Sequence, residues 1–224
     1  MKKADFSNEE IASAIDHTCL KPDAVEADIK KLCREAKKFR FASVCVNPCY
    51  IDLAKKSLKG SEVNVCTVID FPLGQSLVEA RCAEAKYAVD HGADELDFVM
   101  NVSLLKNDPE AAHEELGIVA AYCRQCTPGV VTKLIIECCN LTDDEKVLAC
   151  KIAKDVGFDF VKTSTGFGKG GATVADVRLM RKAIGCKMGL KAAGGIRTRN
   201  DAVAMLKAGA TRLGCSAGVA IMKG

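Results

Sequence analysis

Short apolar, β-branched runs return along this chain, with an amphipathic, helix-patterned segment after nearly every one, and that alternation restricts the fold more than any other feature. A strand, a helix and another strand in succession require a crossover, and repeated crossovers build a parallel sheet covered by helices. The runs place strands at Ala14 to Thr18, Ser43 to Asn47, Asn64 to Ile69, Glu95 to Asn101, Val131 to Cys138, Phe158 to Ser164, Met188 to Ala193 and Arg212 to Ser216. A leading helix precedes the first strand. Helices are then expected at Asp23 to Arg40 with Asp23 as cap, from Pro48 onward, and at Ser76 to His91 stopped by Gly92. Further helices are expected at Pro109 to Cys126 closed by Pro128 and Gly129, Thr142 to Val156 with a Thr142/Glu145 capping box, Thr173 to Ala183, and Asn200 to Ala208 ended by Gly209. Eight strands alternating with helices is the count of an α/β chain closed into a (β/α)8 barrel, a parallel eight-stranded barrel with outer helices. A doubly wound open sheet is the alternative, one or two strands away. No Pro/Gly/Ser-rich linker or charge run divides the chain, so residues 1–224 read as one barrel domain.

Charge excludes some function classes. The 32 basic and 29 acidic residues leave a formal net charge of +3 with no basic block, which argues against nucleic acid as the main partner while leaving room for a small anionic metabolite. No stretch reaches the roughly 20 apolar residues of a membrane span, and MKKADFSNEEIASAID lacks the apolar core of a signal peptide, so a cytoplasmic location without a membrane is expected. Thirteen cysteines, an odd number scattered through apolar and helical segments, fit small core residues in a reducing compartment. Cys123 and Cys126 form a lone C-x-x-C in a helical pattern, and Cys138 and Cys139, adjacent in an expected strand, would point to opposite faces. With only His17, His91 and His113 in the chain, no His-rich metal site can be assembled, and no metal or other cofactor is expected. His91 at a helix end and His113 within a helix read as ordinary surface or satisfied histidines, whereas His17 beside Asp16 stays open.

The chemistry lies in the polar residues that interrupt the strands. Within a barrel, alternate residues of each strand point inward. If the purely apolar sets Leu96/Phe98/Met100 and Leu134/Ile136 face the helices, Asp97 and Lys133 go inside, and the same parity places Asp16, Cys45, Lys162 and Lys191 inside too. A lysine in a strand is costly to desolvate; several of them with carboxylates among them resemble a balanced catalytic network. Lys162 and Lys191 on neighbouring strands should repel as ammonium ions, and with desolvation this is expected to lower the pKa of one of them. A free amine attacks carbonyls to form a Schiff base, an electron sink for breaking or making a carbon–carbon bond, and the second lysine with Asp97 could then shuttle protons. Three glycine-bearing loops offer a phosphate cradle: Thr165-Gly166 onward after Lys162, Gly194-Gly195-Ile196-Arg197-Thr198, and Gly214-Cys215-Ser216.

These residues sit in IDHTCLKP around Asp16, VCVNP around Cys45, DFPLG from Asp70, ELDFVMN around Asp97, KLIIEC from Lys133, DFVKTSTGFG around Lys162, GLKAAGGIRT around Lys191 and LGCSAG from Gly214. In these segments, spread over nearly the whole length, the chain resembles the 2-deoxyribose-5-phosphate aldolase family, class I aldolases on a (β/α)8 barrel. The resemblance implies reversible cleavage of 2-deoxyribose 5-phosphate to acetaldehyde and glyceraldehyde 3-phosphate. It implies Lys162 as the Schiff-base lysine and Lys191 with Asp97 as the proton relay. Asp16, Cys45, Lys133, Thr165 and Gly166 are then expected at the substrate site, with Gly194, Gly195, Gly214 and Ser216 binding its phosphate. Asp70 departs from the glycine or asparagine that many members carry there, and is expected either to repel the phosphate or to pair with a nearby lysine. The chain closes on AIMKG rather than on the longer tail ending in tyrosine of some members, which implies that tail-assisted proton transfer is absent or replaced. Two other readings stay open: a related class I aldolase on another phosphorylated sugar, and a barrel that binds a sugar phosphate without chemistry. Small phosphorylated sugars and aldehydes are the expected partners; a homo-oligomer is compatible with the sequence.

Overall fold

The computed structural model describes residues 6–224. The first five residues of the stretch read above for a signal peptide lie outside them. Among the described residues eight parallel strands close into a barrel, β1 through β8 in sequence order with β1 hydrogen-bonded to β8. They are β1 Ile15–Cys19, β2 Ser43–Val46, β3 Asn64–Ile69, β4 Glu95–Val99, β5 Val131–Ile135, β6 Phe160–Lys162, β7 Gly189–Ala193 and β8 Arg212–Cys215. The closed ring rules out the doubly wound sheet.

Helices alternate with the strands: α1 Asn8–Ala12, α2 Glu26–Phe39, α3 Ile51–Leu58, α4 Val78–Asp90, α5 Val102–Asn107, α6 Pro109–Cys126, α7 Asp143–Val156, α8 Val174–Ile184, α9 Arg199–Ala208 and α10 Gly218–Lys223. The Thr142/Glu145 capping box forms as expected. Asp23, by contrast, is not a cap; Val25 occupies that position and its N–H donates to Asp28 Oδ2 at 3.0 Å. Gly157 and Gly209 end α7 and α9 in the left-handed conformation. Short α5, unforeseen, begins directly after the expected end of β4 at Asn101, which caps it by accepting from Leu104 N–H at 3.0 Å. No helix of the described residues is long and apolar enough to cross a membrane.

Two apolar layers result. Val44, Leu96, Leu134, Val161 and Leu190 pack outward against the helices in the large core, while Cys45, Cys66, Val68 and Leu20 form a small core inside the barrel. Among the remaining inner positions are the charged residues Asp16, Glu95, Asp97, Lys133, Lys162, Lys191 and Arg212, which position the site. Most strands end earlier than their apolar runs. β5 stops at Ile135; Glu137 takes a left-handed backbone (φ 52°), and Cys138–Asn140 make a turn of 3-10 helix, so the adjacent-strand placement of Cys138 and Cys139 is corrected. Ile136 and Cys138 nevertheless donate to the carbonyls of Lys162 and Thr163, which keeps the buried backbone paired past the ladder.

Candidate active site

Strand register decides which charged residues meet. Asp97 is paired with Lys133, and Lys162 with both Ile135 and Lys191, so these inward positions lie side by side around the barrel. Asp97 is fully buried and carries three ammonium partners: Lys133 Nζ at 2.7 Å from Oδ1, and Lys162 Nζ at 2.8 Å and Lys191 Nζ at 2.7 Å from Oδ2. Asp16 Oδ2 makes an ion contact of 2.5 Å with Lys191, without hydrogen-bond alignment. Two members were missed by sequence reasoning. Glu95 Oε2 lies 2.7 Å from Lys133 Nζ, and Arg212 Nη1 lies 2.7 Å from Asp16 Oδ1 and 3.0 Å from Glu95 Oε2. Alternation carried the signal, since Glu95 shares a strand face with Asp97, and Arg212 with Gly214.

Electrostatics follow from this packing. Burial pushes the Asp97 carboxyl up, but Lys133, Lys162 and Lys191 outweigh it and hold it well below the usual carboxylate range. Burial likewise opposes ionisation of Asp16, and Lys191, Lys133 and Arg212 overcome it. Burial disfavours the Lys191 and Lys133 ammonium ions, yet Asp16 and Asp97 hold Lys191 above the ordinary lysine value, as Asp97, Asp16 and Glu95 do Lys133. The expected mutual repulsion of Lys162 and Lys191 is thus corrected on the Lys191 side: a carboxylate oxygen stands between the two nitrogens. The Cys45 thiol is pushed down by a hydrogen bond from Cys66, against burial, whereas burial and Cys45 push Cys66 well up.

Above the cluster opens a cavity of about 490 Å³, and of the buried lysines, aspartates and glutamates among the described residues only Lys162 lines it. Thr165, Gly166, Gly194, Gly195, Gly214 and Ser216 are on its wall as well; Asp16, Cys45, Asp97, Lys133 and Lys191 lie beneath, buried and off the wall. Glu137 shapes the loop after β6: its carboxylate accepts from the Thr165 hydroxyl and from Thr165 N–H, the latter at 3.3 Å. Gly171 and Gly194 bring that loop and the loop after β7 into contact, since a side chain on Gly171 would strike the Gly194 carbonyl. A Cβ on Gly214 would lie 3.0 Å from Lys191 Cε, so this glycine leaves room for the lysine as well as for a ligand. Lys21, unforeseen, and Arg197, from the expected Gly194–Thr198 cradle, add positive charge to the wall; both follow the C-terminal ends of strands, where barrel sites form.

His17 is on the wall too, its Nε2 2.8 Å from Glu35 Oε2. His91 and His113 pair with Asp52 and Asp155 at the surface. Asp70 is corrected: its carboxylate pairs with buried Arg81, at 2.8 Å from Nε, and accepts from Ser76, so it faces neither a lysine nor the cavity. The Cys45, Cys66 and Asp97 donors lie within 4.8 Å of one another, as do those of Asp16, Cys66 and Glu95. Lysine ammonium groups already occupy these carboxylates, with Lys133 Nζ 3.3 Å from Cys66 Sγ, so a second cation there would meet repulsion.

The profile of the DeoC/LacD family aldolases matches residues 11–224. The chain belongs to that family. Among curated members of this family, the deoxyribose-phosphate aldolase of Caldanaerobacter subterraneus subsp. tengcongensis is 51% identical over 224 residues, all of this chain and 96% of the relative. That of Clostridium perfringens (strain SM101) is 52% identical, over 98% of this chain and 97% of its own. Among solved structures, a tetrameric deoxyribose phosphate aldolase from Aeropyrum pernix superposes with a TM-score of 0.89 at 35% identity, covering 97% of this chain and 91% of that one.

Proposed function

We propose that this chain is a class I aldolase that reversibly cleaves 2-deoxy-D-ribose 5-phosphate to acetaldehyde and D-glyceraldehyde 3-phosphate, with Lys162 as the nucleophile. The observation that carries the reading is the placement of Lys162, a residue of the cavity wall whose Nζ lies 2.8 Å from a carboxylate oxygen that also touches Lys191. The cluster holds four cations, Lys133, Lys162, Lys191 and Arg212, against the three carboxylates Asp16, Glu95 and Asp97. One positive charge is in surplus. Lys162 touches a single carboxylate, so its loss of a proton breaks the fewest pairs. Its amine adds to the sugar carbonyl, loss of water leaves an iminium ion, and the iminium accepts the electron pair of the breaking carbon–carbon bond. Lys191, kept as an ammonium by Asp16 and Asp97, donates and recovers protons, and Asp97 Oδ2 links the two nitrogens.

The phosphate sits against the Gly194–Gly195 and Gly214–Ser216 backbone, with Lys21 and Arg197 supplying counter-charge. Because the iminium is the electron sink, the reaction needs no metal, and turnover is expected to be insensitive to EDTA. Residues 1–224 act as one domain: the barrel draws strands from Ile15 through Cys215. We place the enzyme in the cytoplasm, free of membrane and nucleic acid, and infer a homo-oligomer from the tetrameric Aeropyrum pernix relative. The test is borohydride reduction in the presence of 2-deoxyribose 5-phosphate or acetaldehyde with peptide mass mapping. The adduct is expected on Lys162, and Lys162→Ala is expected to abolish both adduct and turnover; an active preparation that yields no adduct there refutes the mechanism.

A further inference from the structure

The ion pairs beneath the cavity form a closed circuit in which charge alternates. Arg212 Nη1 contacts Asp16 Oδ1 at 2.7 Å, Asp16 Oδ2 contacts Lys191 at 2.5 Å, and Lys191 contacts Asp97 Oδ2 at 2.7 Å. Asp97 Oδ1 contacts Lys133 at 2.7 Å, Lys133 contacts Glu95 Oε2 at 2.7 Å, and Glu95 returns to Arg212 at 3.0 Å. Lys162 stands outside this ring, attached to Asp97 alone. Resting on the proposed roles of Lys162, Lys191 and Asp97, we infer that Arg212 and Glu95 are positioning residues that close the ring and thereby set the proton count of the reacting lysines.

Within the ring, Asp16 and Asp97 each divide their two oxygens between two different cations, so neither can rotate without breaking a contact. Arg212 is itself held from below, its guanidinium 5.4 Å from the centre of the Phe160 ring, and Glu95 Oε1 accepts from Asn64 Nδ2 at 3.0 Å. Stability alone does not require this arrangement, since well-packed apolar residues commonly match or exceed a buried ion network. What the ring supplies is balance: three cations against three carboxylates, so that the pendant Lys162 is the one unmatched charge and the one that can shed its proton. The other ionisable groups facing the ring are the thiols of Cys45 on β2 and Cys66 on β3, and Cys215 lies close by on the opposite face of β8. Cys215 is pushed up to about 12 by burial, and burial and Cys45 push Cys66 well up, so neither takes up the surplus.

Removing Arg212 leaves the ring with two lysines against three carboxylates, so the Lys162 ammonium becomes the charge that balances the cluster, and the cluster then retains the proton that Lys162 must lose to react. The experiment compares Arg212→Met, Arg212→Lys and the double variant Arg212→Met/Glu95→Gln by kcat, KM and pH–rate profile with 2-deoxyribose 5-phosphate. Arg212→Met is expected to lower kcat by roughly 10- to 100-fold with KM within about threefold, and to move the acidic limb of the profile to higher pH. The double variant removes one charge of each sign, restores the count, and is expected to regain most of the lost kcat and return the limb toward its original position. Arg212→Lys, able to reach one carboxylate, should fall between, and it serves if the methionine variants do not fold. Additive losses in the double variant, an unmoved limb, or an effect confined to KM would each overturn the inference. Borohydride trapping on the unsubstituted enzyme separates the two claims. No adduct on Lys162 defeats the aldolase reading, whereas a normal adduct with unaltered Arg212 variants defeats the positioning role alone.

Discussion

Asp97→Asn removes the charge shared by three lysines while keeping the shape of the side chain. In the native protein its carboxylate lies 2.7 to 2.8 Å from Lys133, Lys162 and Lys191 with no exposed surface, so solvent does little to screen it. The variant leaves four cations, three of them buried lysines, facing two carboxylates. Breaking a buried ion pair from one side costs about 3–5 kcal/mol, and for a chain of this size each kcal/mol moves Tm by roughly 2–4 °C, so a fall of about 6–20 °C near pH 7 is expected. The deficit also has a pH dependence of known sign. In the native protein Lys133 and Lys191 are held above the ordinary lysine value, so their stabilisation is complete below that value and is lost as pH rises through the folded-state values. Without Asp97, burial and mutual repulsion lower the affinity of the Lys133–Lys191 pair for protons, and the variant relieves its surplus charge by shedding one as pH rises. Urea unfolding of both proteins from pH 6 to 9.5 should show the gap closing toward alkaline pH. A gap that widens or stays constant over that range, or one below about 1 kcal/mol at pH 7, refutes the claim that Asp97 neutralises these lysines.

Lys191→Leu should slow turnover by roughly 10²- to 10⁴-fold while leaving the Lys162 adduct trappable, as expected when proton transfer fails and the nucleophile survives; loss of the adduct as well would assign Lys191 a different role. Gly214→Ala places a methyl 3.0 Å from Lys191 Cε and from Ala193 Cβ, and should lower kcat about tenfold or more by moving the lysine, with urea stability changed far less. Asp16 and Asp97 are both held below the usual carboxylate range, so their stabilisation is complete above about pH 4 and is lost as pH falls further. A native-state stability that is flat from pH 6 down to 2 would contradict the ion-pair assignments.

The alternation of runs and helices reveals the eight-stranded barrel because parallel strands buried on both faces are apolar almost throughout, and the helices between them keep a 3.6-residue period. Strand ends are less readable for the same reason. The apolar run KLIIEC continues through Ile136 and Cys138, both buried, although the ladder ends at Ile135 and the chain turns at Glu137. Hydrophobicity reports burial, and burial persists beyond the hydrogen-bonded strand. Helix α5 escaped notice because a short helix completes too few turns to show a period, and its Asn101 cap looks like the last residue of an alternating strand.

Parity brought Asp16, Asp97, Lys133, Lys162 and Lys191 to one place, but it could not say what each touches, because contact across a barrel depends on shear and side-chain length. Glu95 and Arg212 illustrate the gap. Each stands at the first residue of its strand, where a charged residue reads equally well as a solvated strand end, and only closure of the barrel turns both inward to meet each other and Asp16. The missing pair leaves the surplus at one positive charge, since it adds one charge of each sign, but it closes the circuit: with Glu95 and Arg212 in place, six of the seven charges pair in a ring. Reactivity at Lys162 then follows from its being the one cation the ring leaves over and, among the described residues, the one buried lysine that meets the cavity.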